Sequence, residues 1–244
     1  MRYNGKDPRM LHRGISVNKE YPLPGPLSDI HTISGASGEV PAGRSIMQGE
    51  YRVTLNIAGK TRAEAWEMRK LIAAWACAAD TVTHELIPTH WPTVAYDAML
   101  KELGEPDLTL GYGTVDVTFA VPHPFAHDLQ WSVATGSAVV DLQIGGTHNT
   151  RPVIEIIAAG SNGLSVAIDG ETQIKLSGTF SVGQVIHIDT AKRSVIVDND
   201  HAERRIVYTE TRFANMVEAC KPGRHTLSCP EAVSMIVRWR NEWM

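Results

Sequence analysis

A chain of 244 residues with a formal net charge of -4 carries no basic excess, which argues against binding nucleic acid by neutralising phosphates. Apolar residues at 43% and charged residues at 20% are the composition of a globular protein able to bury cores, as two modest domains or one large one. No window approaches the ~18 consecutive apolar residues of a membrane-spanning helix.

The first 20 residues hold Arg2, Lys6, Arg9 and Arg13 but no apolar core, so no signal peptide is expected. Arg13–Val17 and Asp29–Ser34 read as short strands. Between them the prolines of Tyr21-Pro22-Leu23-Pro24-Gly25-Pro26 lack the donor that a ladder needs. Gly35 to Arg44 has the composition of a flexible surface loop that gains order from neighbouring subunits. Tyr51, Val53, Leu55 and Ile57 then alternate on one face of a strand that Gly59 ends.

Thr61 and Glu64 form a capping box for a helix over about 62–77, whose apolar stripe is Ala65, Met68, Ile72 and Trp75, widened by Trp66. Further strands are expected at Thr83–Ile87, Ala95–Lys101 and Thr114–Val121. The last stops at Pro122 and Pro124, and the division between domains is placed near residue 130, giving 1–130 and 131–244.

Beyond that point short Val- and Ile-rich runs alternate with Gly, Asn and Asp clusters, the pattern of antiparallel strands joined by tight turns. Strands are expected at Ala138–Ile144, Val153–Ala158, Leu164–Ile168, Gln173–Leu176, Gln184–Ile188 and Ser194–Asp198. A linking segment around Phe213–Val217 leads to Arg224–Cys229 and Val233–Trp239. Val233, Met235, Val237 and Trp239 alternate with polar residues in the closing strand. That strand number and spacing suit a jelly-roll-like sandwich.

No catalytic, cofactor-binding or metal-ligating residue can be named. His123 and His127 have i, i+4 spacing, but Pro124 opposes the helix that would align them. Asp198-Asn199-Asp200-His201 is rich in oxygen ligands yet lacks the Gly and distal Glu of a calcium loop, and a turn explains it. Gly111-Tyr112-Gly113-Thr114 precedes a strand, where a phosphate cradle would precede a helix. Cys77, Cys220 and Cys229 read as three thiols of a reducing compartment, with a Cys220–Cys229 bridge as the alternative.

Taken collinearly, the chain resembles the distal tail protein (Dit) family of long, non-contractile-tailed bacteriophages. The marks are Tyr3-Asn4-Gly5, Gly43-Arg44, the strand Tyr51–Ile57, Lys70-Leu71…Trp75, Tyr96-Asp97-Ala98-Met99-Leu100 and Val121-Pro122-His123-Pro124. In the second half they are Arg151-Pro152-Val153-Ile154, Gly183…Ile188-Asp189, Lys192, Pro222-Gly223 and Val237-Arg238-Trp239-Arg240. His90-Trp91 stands where the family has an acidic residue before proline, and Arg224-His225 where an Asn follows Pro-Gly.

The resemblance implies a mainly β protein in a short form without an inserted carbohydrate-binding module. Its first domain would be a tail-tube-like β barrel or sandwich with one helix, and its second a galectin-like β-sandwich. It implies a non-enzymatic virion protein without cofactors, assembled in the host bacterial cytoplasm as a hexameric baseplate hub at the tail tip. Its partners would be copies of itself, the tail tube protein, a tail-tip hub or tail-associated lysin, and receptor-binding or side-fibre proteins. DNA would cross the channel without specific binding, and no part would enter a membrane. The alternative is a host-glycan-binding protein acting through the second domain, with Trp131, Tyr208, Phe213 and Trp243 as its available aromatics.

Overall fold

Tyr51, Val53, Leu55 and Ile57 each keep 1% or less of their surface exposed, so the alternation read from sequence faces a core. They lie on β5 (Gly49–Ala58), which pairs antiparallel with β9 (Tyr112–Val121) in the register Tyr51↔Phe119, Val53↔Val117, Leu55↔Val115. Residues directly opposite one another share a face, so each pair meets inside. The computed structural model describes residues 1–21, 27–32, 39–45, 49–77, 82–198, 200–202, 206–207 and 211–244. Two compact units result, Met1–Ala126 with Met244, and His127–Trp243.

In the first unit an antiparallel sheet runs β1-β6-β7-β9-β5-β2, built from β1 (Arg2–Tyr3), β2 (Ile15–Tyr21), β5, β6 (His84–Ile87), β7 (Val94–Leu103) and β9. A short β8 (Asp107–Thr109), absent from the sequence reading, forms a hairpin with β9. A Cβ on Gly113 would lie 1.7 Å from the Asp107 carbonyl oxygen, and one on Gly111 2.9 Å from that of Gly59. The glycines there let backbones approach. Gly35–Arg44, expected as a loop, contributes instead to β4 (Glu39–Ser45), which pairs with β3 (Leu27–Thr32) in a separate hairpin. Residues 33–38, and 22–26 of the proline stretch, lie outside the described residues.

The helix α1 (Arg62–Ala76) starts at the expected N-cap, Thr61, with the return bond of the capping box shifted one residue back. The Glu64 amide donates to Thr61 Oγ1 at 3.2 Å, and the Glu64 carboxylate reaches back to the Lys60 amide at 2.7 Å. Ala65, Met68, Ile72 and Trp75 are buried, and the Trp75 indole donates to the Lys6 carbonyl at 3.0 Å. Trp66 does not widen the stripe. One residue, about 100° of helix, past Ala65, it is 36% exposed, and the Arg69 guanidinium lies 5.8 Å from its ring centroid. Tyr3 enters this core because Asn4 and Gly5, at φ 49° and 70°, form a two-residue turn closed by paired Tyr3–Lys6 backbone bonds. Its ring packs 4.5 Å from that of Phe119 and 5.9 Å from that of Trp75.

β10 (Ala126–Asp128) lies where the two units divide. The second unit is a sandwich of two antiparallel sheets. One has the order β11-β20-β13-β16-β17-β18, from β11 (Ser132–Gly136), β13 (Val153–Ala158), β16 (Val185–Asp189), β17 (Ser194–Val197), β18 (Asp200–His201) and β20 (Ala232–Trp239). The other has the order β12-β19-β14-β15, from β12 (Val139–Ile144), β14 (Ser161–Ile168), β15 (Glu171–Phe180) and β19 (Gly223–Ser228). Ile154, Ile156, Ile188 and Val237 of the first sheet share one core with Val140, Leu142, Val166 and Leu227 of the second. A last strand, β21 (Glu242–Trp243), closes the chain.

Two details differ from the sequence reading. Phe213–Val217 belongs to a helix, α2 (Phe213–Ala219), which inserts Phe213 and Met216 into the sandwich core. Val233 is 53% exposed, while Met235, Val237 and Trp239 are buried. A register shift between Ile157 and Ala158 pairs Ile157 with Ser234 but Ala158 with Ala232, so the inward phase moves to Ala232.

Candidate functional site

The motifs with the look of chemistry are consumed by the fold. His127 is buried on β10, with Nδ1 3.1 Å from Arg240 Nη1, and the His123 ring lies 4.8 Å from that of Phe125. Asp198 sits in a turn at φ 49°, where its carboxylate accepts from the Val185 amide at 3.0 Å and Gln184 Nε2 at 2.9 Å. Asp200 and His201 form exposed β18, and Asn199 lies outside the described residues. Among the described residues no cluster of His, Cys, Asp and Glu is arranged to hold a metal. No disulfide joins the cysteines, and burial pushes the Cys220 and Cys229 thiols up to about 12.

Of the aromatics available to a sugar, Phe213 is core and Tyr208 lies outside the described residues. The Trp243 indole is spent on Asp128 at 2.7 Å. Trp131 is 47% exposed with the Arg240 guanidinium 4.8 Å from its ring centroid.

The best-formed polar site lies at one end of the four-stranded sheet of the sandwich. Ile168-Asp169-Gly170-Glu171 is the β14–β15 turn, with Asp169 and Gly170 at φ 50° and 86°. That turn aims the Asp169 carboxylate at β19. It accepts from His225 Nδ1 at 2.7 Å and from the Thr226 amide at 2.9 Å. The hydrogen bond from His225, followed by that from Thr226, holds the Asp169 carboxyl below the usual carboxylate range.

The other imidazole nitrogen, Nε2, lies 2.8 Å from the Lys221 carbonyl oxygen. An Asp–His pair suggests a general base, but here the far nitrogen is committed to a main-chain acceptor. The pair is a clamp joining the chain after α2 to the β14–β15 turn.

Two surface clefts flank this clamp. One, of about 410 Å³, is lined by Asp141, Gln143, Arg224 and Thr226 beside the clamp. Here Thr226 Oγ1 donates to Asp141 at 3.1 Å and Arg224 Nε to Gln143 at 3.3 Å, so its polar groups largely satisfy one another. The other, of about 400 Å³, lies between α2 and the start of β15. Sequence reading missed both clefts, since their residues come from β12, β14, β15, α2 and β19 and share no local pattern.

The first unit holds a second polar cluster. Glu20, at the end of β2, accepts from the Tyr51 hydroxyl at 2.6 Å, the Thr89 amide at 3.0 Å and the Thr89 hydroxyl at 2.5 Å, with the Met1 amine 3.4 Å away. Burial and the carboxylate partner together raise the Tyr51 phenol above its ordinary range. These groups tie β2 and β5 to the loop after β6, beside a surface cleft of about 210 Å³ lined by Met1, Arg9, Thr89 and Pro92.

Comparison with known proteins gives a consistent picture. Residues 145–243 match the SPP1 Dit family model, described as siphovirus-type tail component, C-terminal domain. No curated protein matches the chain at a significant level. The fold is similar to that of phage SPP1 Dit, a protein described as a paradigm of the hub adsorption apparatus in phages infecting Gram-positive hosts. The TM-score is 0.76 at 15% identity, with 99% of this chain and 98% of that chain covered. Chains of the phage p2 baseplate in its activated conformation match at TM-score 0.55 both with calcium, at 10% identity, and with strontium, at 11%. Each covers 93% of this chain and 90% of the other.

Proposed function

We propose that this chain, which belongs to the distal tail protein family through its C-terminal unit and takes that fold over its whole length, is a structural hub of a siphophage tail tip. The observation that carries the reading is the fold match over 99% of this chain and 98% of SPP1 Dit. Coverage that complete on both sides leaves no room for an inserted module. The first unit closes with five copies of itself into a hexameric ring around the channel that DNA crosses. The second stands out as a platform for tip, lysin or receptor-binding proteins. The virion tail is its place of work, and no catalytic step is assigned to it.

The glycan-binding reading has less support. Sugar platforms use exposed aromatic rings, and Trp131, 47% exposed, already carries the Arg240 guanidinium 4.8 Å from its ring centroid.

Negative-stain imaging and native mass measurement of the purified protein test the hub reading. Six-membered rings, single or stacked in pairs, are the expected result. A monomer that persists both alone and with the purified tail tube protein overturns it.

A further inference from the structure

We infer that Leu110, at the tip of the β8–β9 hairpin, inserts into the cleft beside Ile87 and Pro92 of a second copy of this chain. Thr109 faces Tyr112 in the ladder, so Leu110 and Gly111 alone make the turn, both at positive φ, 58° and 110°. A type I′ turn of this kind favours Asn, Asp or Gly at its first position, and the left-handed region disfavours Leu. The other non-glycine residues with positive φ among the described residues are Asn4, Asp169, Arg193 and Asp198, all polar. Leu110 is also 87% exposed, and Tyr112 beside the turn is 62% exposed. One position thus combines a strained backbone with an apolar side chain left in water, and neither serves this chain's own core.

The tip is held in place. The Gly59 amide donates to the Gly111 carbonyl at 2.9 Å, next to the start of α1. A side chain displayed on fixed backbone loses little freedom when it docks.

The receiving cleft belongs to the same unit, at the other end of the sheet. β7 runs antiparallel to β9, with Met99 opposite Ala120 and Leu103 opposite Val117. The start of β7 at Val94, and the loop 88–93 before it, therefore lie past the end of β9 that is far from the tip. There Ile87, Pro88 and Pro92 give an apolar wall to the cleft of about 210 Å³. That volume falls below the ~300–1,000 Å³ of small-molecule sites and suits a single side chain.

The charges around knob and hole are opposite. On the hairpin Asp107 is exposed, and Glu105, 3.7 Å from Arg69, keeps 82% of its side chain exposed, with Lys60 as the basic group near the tip. At the cleft stand Arg2 and Arg9, with Asp7 as the acid. A knob and a hole at opposite ends of one unit cannot meet within a chain. They join copies head to tail, the contact from which closed rings are made. The inference rests on the hub reading for the number of copies and names the contact between them.

Sedimentation velocity of the full chain over a concentration series tests it. Leu110→Asn and Pro92→Glu should each weaken self-association about ten- to a hundred-fold, the worth of burying one leucine. Mixed together they should form a one-to-one dimer and nothing larger, because each pair keeps one intact knob and one intact hole. Val182→Asn, at an apolar residue 75% exposed in the second unit, should assemble as the wild type does. At a dilution where both are monomeric, Leu110→Asn should melt at or above the wild-type temperature, since Asn suits the turn.

Six-membered rings formed by Leu110→Asn as readily as by the wild type overturn the inference and leave the hub reading standing. So does a mixture of the two variants that stays monomeric. A lowered melting temperature for Leu110→Asn shows that the side chain serves its own fold and also overturns it. A wild type that is monomeric throughout overturns the inference, and the measurement with the tail tube protein then decides the hub reading by itself.

Discussion

At Glu20, burial and hydrogen bonding pull the carboxyl in opposite directions. Burial raises its pKa, but hydrogen bonds from the Thr89 and Tyr51 hydroxyls and the Thr89 amide, with the Met1 amine nearby, outweigh it and leave the value below the ordinary 4.5. A group depressed in the folded state contributes stability that is fully present above its unfolded pKa. That contribution is lost as pH falls through the lower folded value. The Glu20→Gln variant should therefore lose about 1.5–3 kcal/mol at neutral pH, the worth of hydrogen bonds to a charged group. Its urea midpoint should also fall less than that of the wild type between pH 5 and strongly acid solution. Parallel midpoints at every pH would show that the carboxylate charge contributes nothing. Asp169 shares the direction of the shift but lies exposed on a turn, so its loss should matter less to the whole fold.

Elements with a strong period could be read from the sequence, and those shaped by pairing could not. β5 shows its buried face in Tyr51, Val53, Leu55 and Ile57, and α1 shows both its stripe and its cap, because a few adjacent residues carry each signal. β8, of three residues, and β11, with Val133 and Thr135 exposed, offer no such run. α2 has only Phe213 and Met216 to mark an inward side. Val233 was misread for a different reason: its phase is set by the bulge where β20 meets β13, and a partner strand leaves no trace in the residues it shifts. The same holds for Gln173, whose place in the wall of the cleft between α2 and β15 follows from a bulge against β14. The phase shift can be tested by substitution. Val233→Thr should change stability by less than ~0.5 kcal/mol, whereas Val237→Thr should cost about 1–3 kcal/mol by burying a hydroxyl, as chemical denaturation would show. Equal losses would mean that Val233 does face the core.

For the molecule as a whole, the sandwich presents two unlike outer surfaces. On the six-stranded sheet Val153, Ile157 and Ile236 flank Glu155, which faces Arg238 and His187 at 3.7 Å each. On the four-stranded sheet the outward residues are Asp141, Gln143, Thr226 and Arg224, and the clefts open at its end. The resemblance to the distal tail protein family was readable through a collinear series of weak marks, whereas the clefts had none, because together they draw on β12, β14, β15, α2 and β19.

The threading of Tyr3 has a consequence for synthesis. β1 pairs Arg2 and Tyr3 with Ile87 and Leu86, and the Tyr3 ring rests against Phe119. Arg2 and Tyr3 thus wait for partners made much later, and the first unit cannot close until β9 has emerged. Non-local closure of this kind is slow and leaves strand edges open to other chains. A fragment that stops at Gly111 should remain protease-sensitive and without a cooperative melt, while one extended through Ala126 should gain both protection and cooperativity. If the shorter fragment already resists proteolysis, the core does not depend on its last strand. Otherwise copies being made side by side pass through an interval in which their unfinished sheets can pair with one another, and the order of translation becomes part of how cleanly an assembly forms.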